Sequence, residues 1–154
     1  STEDKYDNRE IGMNSRLDTL QAAILLPKFK AFRDYEVSTV NRVAEKYTSA
    51  LKDKVVTPTV PTGYLSSWAQ YTIMLENRKQ RDSVQKKIKE KGIPSMVYYP
   101  RGLHQQAAYR WMDLKDEDYS NTLAATQCVL SLPMHPYMKD EEQLFIIRSL
   151  LEAF

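Results

Sequence analysis

The chain has 154 residues and a mass of 17.9 kDa, enough for one domain around a single core. Hydrophobic residues make up 42% and glycines number four, which sets aside low-complexity and disordered chains. With 22 Lys and Arg against 20 Asp and Glu the net charge is only +2. Runs such as KQRDSVQKKIKEK interleave the two signs, the pattern of a solvated helix face, so no nucleic-acid partner is expected.

In chain order, Ser15 with Asp18 three residues on has the spacing of a helix cap, and Leu17, Leu20, Ile24 and Leu25 follow as an apolar stripe at helical spacing. Pro27 removes a backbone donor and is expected to break or kink this helix. A longer helix follows, with Val40, Val43, Ala44, Tyr47 and Leu51 on its inner face. Both helices read as a connector outside any sheet. Residues 54–67, with Pro58, Pro61 and Gly63, read as a loop after a short extended piece.

Residues 68–75, WAQYTIML, predict a strand with Ala69, Tyr71, Ile73 and Leu75 on one face. Asn77 with Gln80 predicts a helix start and Gly92 its left-handed stop. Only Val84 and Ile88 turn inward between them. Residues 93–99 predict a second strand, ended by Pro100 and Gly102. Residues 118–129 predict a helix using Tyr119, Leu123 and Thr126, followed by the extended piece SLPMHPY. Asp140 and Gln143 start the last helix, whose stripe reads Leu144, Ile147, Leu150, Leu151 and Phe154. Two long helices and then β-α-β-α-(β)-α describe a small α/β domain, an α+β sandwich with helices on one side of a short sheet.

Self-contained catalytic signatures are missing. The glycines at 12, 63, 92 and 102 form no phosphate-cradling loop, and His104 and His135 lack the ligand spacing of a metal site. Cys128, the only cysteine, allows no internal disulfide and reads as a buried helix thiol. No run approaches the roughly 20 apolar residues of a membrane span and no signal peptide is visible, so a cytoplasmic setting is expected.

Three clusters stand out. Residues 12–16, GMNSR, precede a helix. Either Asn14 and Ser15 merely cap it with Arg16 solvated, or free N–H groups, amide and guanidinium together bind an anion. In residues 98–106, YYPRGLHQQ, adjacent strand-end tyrosines point to opposite faces, so at most one belongs to the core. The other is free to stack on a sugar or base while His104 donates to a ligand, or both are edge aromatics beside a satisfied histidine. Residues 131–137, SLPMHPY, read as structural, with His135 in a turn between two prolines.

In their order, GMNSRLDTLQAAIL, SWAQYTI, GIPSMVYYPRGLHQQAAY and VLSLPMHPY resemble the DegT-type nucleotide-sugar aminotransferases, pyridoxal-phosphate enzymes of aminotransferase fold type I. The resemblance covers nearly the whole chain and corresponds to the C-terminal portion of such an enzyme. It implies that residues 1–30 end the large domain, 31–53 form the connecting helix and 54–154 the small domain. The Schiff-base lysine, the acidic partner of the pyridinium and the stacking aromatic are implied to lie upstream, so no catalytic residue is expected here.

The resemblance further implies amino transfer, usually from glutamate, to a keto nucleotide-sugar in making a surface glycan, by homodimers with sites at the subunit interface. Asn14 would reach the cofactor phosphate of the partner's site and Arg16 the cofactor or substrate. Tyr98, Tyr99 and His104 match sugar-nucleotide positions, and Tyr6 is held more loosely. Gly102 replaces the proline usual in YYPxPLHxQ, which implies a more mobile loop. Two other expectations compete: a stand-alone module binding a nucleotide sugar or a protein, and a lysine-free dehydratase relative using the same cofactor.

Overall fold

The β-branched and aromatic character of YTIM and VLSL gives two short antiparallel strands, β1 (Tyr71–Met74) and β2 (Val129–Leu132), in a computed structural model that describes residues 10–12 and 16–154. Their register pairs Tyr71 with Leu132, Thr72 with Ser131, Ile73 with Leu130 and Met74 with Val129. Because side chains alternate across a strand, Tyr71, Ile73, Leu130 and Leu132 share the core face. On the other face the hydroxyls of Thr72 and Ser131 meet at 2.8 Å. Single bridges add Val56 beside Met74 and Met96 beside Ser131, so four extended pieces lie side by side although only two are long enough to be strands.

Before the sheet runs one continuous helical stretch, α1 (Thr19–Ala31), a π-helical turn (Phe32–Glu36) and α2 (Val37–Leu51). Asp18 is the cap, accepting from the Gln21 amide at 2.8 Å, while Ser15 lies outside the described residues. Pro27 does not end the helix as expected. It sits in the third turn of α1 and the chain stays helical beyond it. The irregularity comes five residues later, where the π turn inserts a residue into the ladder.

No residue of α1 is buried, and Leu20, Ile24, Leu26 and Phe29 are each more than 60% exposed. By contrast Val40, Val43, Ala44, Tyr47 and Leu51 of α2 are all buried, as their spacing predicts.

The three helices α2, α3 (Arg78–Glu90) and α5 (Asp140–Leu151) supply the other side of the core. Asn77 caps α3 by accepting from the Gln80 amide at 3.0 Å, and Gly92 stops it at φ +79°, where a side chain would be strained. Val84 and Ile88 are its fully buried apolar residues. In α5 the expected stripe is rotated. Ile146, Ile147 and Leu150 face the core with Gln143 and Ser149, whereas Leu144 and Leu151 are 50% and 42% exposed. The pull is a hydrogen bond: the buried Gln143 amide donates to the Val43 carbonyl of α2 at 2.7 Å.

Tyr47 anchors the centre. Its ring lies 5.1 Å from Tyr71 and its hydroxyl donates to the Pro133 carbonyl at 3.0 Å, while burial pushes its pKa far up. Thr48 and Tyr71 join their hydroxyls at 2.7 Å. The loop before β1 is tied down by Trp68, whose indole N–H donates to Asn41 at 2.9 Å.

Three predicted elements differ. The strand expected over 68–75 spans only Tyr71–Met74, and Ala69 is exposed instead of sharing its core face. Residues 93–99 form no strand; only Met96 reaches the ladder, since Pro94 cannot donate to it. The helix predicted for 118–129 is a 3-10 turn, Asp116–Tyr119, leading into α4 (Ser120–Cys128), with Val129 already in β2. Cys128 ends α4 half-buried, its thiol 3.7 Å from the Glu76 carbonyl.

Truncating Ile73 to Ala should cost about 2–5 kcal/mol, as lost transfer plus cavity. Tyr47→Phe should cost about 1–3 kcal/mol, by leaving the Pro133 carbonyl unsatisfied. Urea unfolding monitored by fluorescence checks both.

Candidate functional site

A cleft of about 670 Å³ opens beside the sheet. One wall is the loop carrying Tyr98, Tyr99, Arg101 and Gln106; the other is α4, through Thr122 and Ala125. Val129 reaches it from β2, on the face opposite Leu130. The loop is shaped by two consecutive 3-10 turns, Leu103–Gln105 and Ala107–Met112, with the Gln105 amide donating to the Gly102 carbonyl at 3.1 Å.

The two tyrosines do not split between faces as strand alternation implied. Residues 97–101 have no ladder to impose that alternation, and both rings line the same cleft, edge to face with centroids 5.6 Å apart. Their peptide bond is cis. Tyr99 is 60% exposed and Tyr98 half-buried, which presents a wide aromatic surface to anything in the cleft.

His104 is placed differently. Its side chain is 3% exposed, its Nε2 lies 3.0 Å from an Asp116 carboxylate oxygen, and its ring stacks on Tyr119 at 4.4 Å. It does not line the cleft. Gly102 explains the seating. Its φ of −67° suits any residue, but an added Cβ would come within 2.6 Å of the His104 ring and 3.0 Å of Thr122. Glycine here makes room, and Gly102 itself is buried.

At the other end of the chain, Arg16 is exposed and stands apart from the cleft-lining residues, and Asn14 and Tyr6 lie outside the described residues. The helix N-terminus offers an anion less than the sequence suggested, because the Asp18 carboxylate takes the Gln21 amide for itself. His135 is a turn residue, its Nδ1 accepting from the Tyr137 amide at 3.2 Å. Among the described residues no cluster of three His, Cys, Asp or Glu could hold a metal, and no helix is long and apolar enough to cross a membrane.

Sequence reasoning missed a buried charge. Glu36, in the π turn, is 3% exposed and bonds both the Lys28 ammonium and the Tyr137 hydroxyl. Lys28, more than Tyr137, holds the Glu36 carboxyl below its ordinary value, and Glu36 in turn raises Tyr137. A glutamate eight residues after a lysine across a helix irregularity carries no sequence signature. Only the π turn swings Glu36 toward Tyr137.

These helices and this short sheet match solved aminotransferases. A DegT/DnrJ/EryC1/StrS aminotransferase from Brucella abortus superposes with a TM-score of 0.77 at 42% identity, over 98% of this chain and 39% of that one. The S. venezuelae enzyme DesV gives a TM-score of 0.82 at 25% identity, over 98% and 40%. The architecture is thus that of the fold type I aminotransferases. The chain belongs to the DegT/DnrJ/EryC1/StrS aminotransferase family, whose pattern matches residues 1–151. Among named relatives, the UDP-2-acetamido-2-deoxy-3-oxo-D-glucuronate aminotransferase of Pseudomonas aeruginosa is 44% identical over 87% of this chain. The chain spans only 36% of that relative's length.

Because the folded-state pKa of Glu36 is depressed below 4.5, its contribution to stability is complete above that value and is lost as pH falls through the folded pKa. Glu36→Gln should therefore flatten the loss of stability between about pH 5 and pH 3, read as urea midpoints at each pH.

Proposed function

We propose that this chain is part of a longer pyridoxal-phosphate-dependent aminotransferase that transfers an amino group, from glutamate, to a keto nucleotide-sugar for amino-sugar and surface-polysaccharide synthesis. Residues 54–154 are its small domain, and the enzyme works as a cytoplasmic homodimer. The observation that carries the reading is the cleft in which Tyr98 and Tyr99 stand edge to face beside Arg101. Exposed aromatic faces suit a nucleobase or sugar ring, and a guanidinium on the same wall suits a diphosphate. The family membership and the nucleotide-sugar substrate in the Pseudomonas relative's name support the same class of ligand.

Bound pyridoxal phosphate supplies an electron sink that lets an amino group leave one carbon and join another. This chain's own residues bind and orient. Arg16, exposed ahead of α1, contacts the cofactor or substrate of the partner's site together with Asn14, as guanidinium and amide donors. Tyr98 and Tyr99, which line the cleft, hold the nucleotide-sugar. His104 supports their loop from behind. The lysine, the pyridinium's acidic partner and the stacking aromatic are contributed from outside these 154 residues, so the chain alone transaminates nothing.

An intact mass of the native protein, before and after borohydride reduction, tests the reading. More than twice 17.9 kDa with the gain of one reduced cofactor supports it. A large mass without that gain favours the lysine-free relative, and 17.9 kDa with none sinks the enzyme assignment. In the whole enzyme Tyr99→Ala should raise KM for the nucleotide-sugar about tenfold and leave kcat nearly unchanged, because stacking holds ground state and transition state alike.

A further inference from the structure

We propose that Asp116 is a positioning residue which, through His104, latches the loop wall of the cleft to the wall built by α4 and so sets the opening between them. Each wall has a different origin. Tyr98, Tyr99 and Arg101 stand on a loop with no strand ladder, and that loop's two 3-10 turns are held by short local amide bonds. Asp116 opens the 3-10 turn that runs directly into α4, whose Thr122 and Ala125 make the facing wall. Three polar contacts converge on one carboxylate. His104 Nε2 lies 3.0 Å from Asp116 Oδ1, and the Gln105 amide donates to Oδ1 at 3.2 Å and to Oδ2 at 3.4 Å.

The histidine is clamped on its other sides. Tyr119, from the Asp116 turn, stacks on the ring at an interplanar angle of 17°. Gly102, from the loop, lies against it so closely that even a methyl group would collide, and the same methyl would press on Thr122 of α4. The imidazole is thus a wedge seated between the two walls, 3% exposed, while its acceptor Asp116 is 56% exposed and contributes little to the core. A contact of this kind changes the order and spacing of the loop more than the stability of the domain. Loop order in turn sets how much freedom a ligand must freeze on binding.

The latch bears on ligand binding only through the nucleotide-sugar cleft proposed above, so one experiment reads the two separately. Amide hydrogen exchange and calorimetric titration with UDP-N-acetylglucosamine are measured on the whole enzyme and on its Asp116→Ala, Asp116→Asn and Gly102→Ala variants. Asn keeps an acceptor for His104. Gly102→Ala has a permitted φ and disturbs the seat of the ring from the loop side, and Gly102 and Thr122 also line the cleft.

The latch predicts at least tenfold faster exchange at the Gln105 and Gln106 amides in Asp116→Ala and Gly102→Ala, with α5 amides and thermal midpoint unchanged, and recovery in Asp116→Asn. Affinity should fall about fivefold or more in the same two variants and recover in the third. Unchanged exchange and affinity in both disruptive variants overturns the latch. If the parent enzyme shows no binding, the nucleotide-sugar reading of the cleft fails, and the exchange comparison alone decides the latch.

Discussion

In the β1–β2 ladder Tyr71 faces Leu132 and Ile73 faces Leu130, which turns those four side chains toward α2, α3 and α5 and leaves Val129 to the cleft. A slip of one residue would exchange the two sets, burying the Thr72 and Ser131 hydroxyls among apolar groups. Four residue pairs are too few to hold that register by hydrogen bonds alone. The tyrosines fix it instead. Tyr47 reaches from α2 to the Pro133 carbonyl just past β2, and Tyr71 at the start of β1 bonds Thr48 one residue further along α2. One helix therefore grips both strands, and the α5 helix is keyed to that same α2 by Gln143.

The division of labour follows from this. The core face is apolar and closed by three helices, whereas the opposite face carries hydroxyls, two prolines' worth of irregular chain and the aromatic loop. Rigid elements thus present a site assembled mainly from loops, whose residues are not required for packing. His104 and Gly102 show how such a loop is kept from collapsing onto the sheet. A small residue and a large ring share one seat, and the ring's polar edge is turned to a carboxylate.

What the sequence made legible was set by periodicity and by caps. The inner face of α2, the strand alternation through Tyr71 and Ile73, the Asn77 cap and the Gly92 stop are all local signals, and each is present in the fold. The face of α5 was not legible, because a buried Gln143 outweighs the apolar Leu144 once a carbonyl of α2 is within reach. Residues 93–99 carry strand composition but only one bridge, since neighbours across the sheet decide pairing. The motif singled out Tyr98 and Tyr99, which line one cleft, yet their common orientation depends on the missing ladder, and the partner of His104 comes from twelve residues away. Glu36 left no trace in the pattern, for its burial is produced by a helix irregularity.

That irregularity has a mechanical meaning. From Glu36 back to Asp18 the helix is a stiff arm of about 27 Å at 1.5 Å per residue, and no residue of α1 is buried. Its angle is held at the base, where Tyr137 bonds Glu36 and Tyr35. A pivot of about 10° at that base carries the tip through roughly 5 Å, more than the length of a hydrogen bond. The aim of Arg16 is therefore set far from its own position, by a carboxylate and a phenol at the fulcrum of a lever.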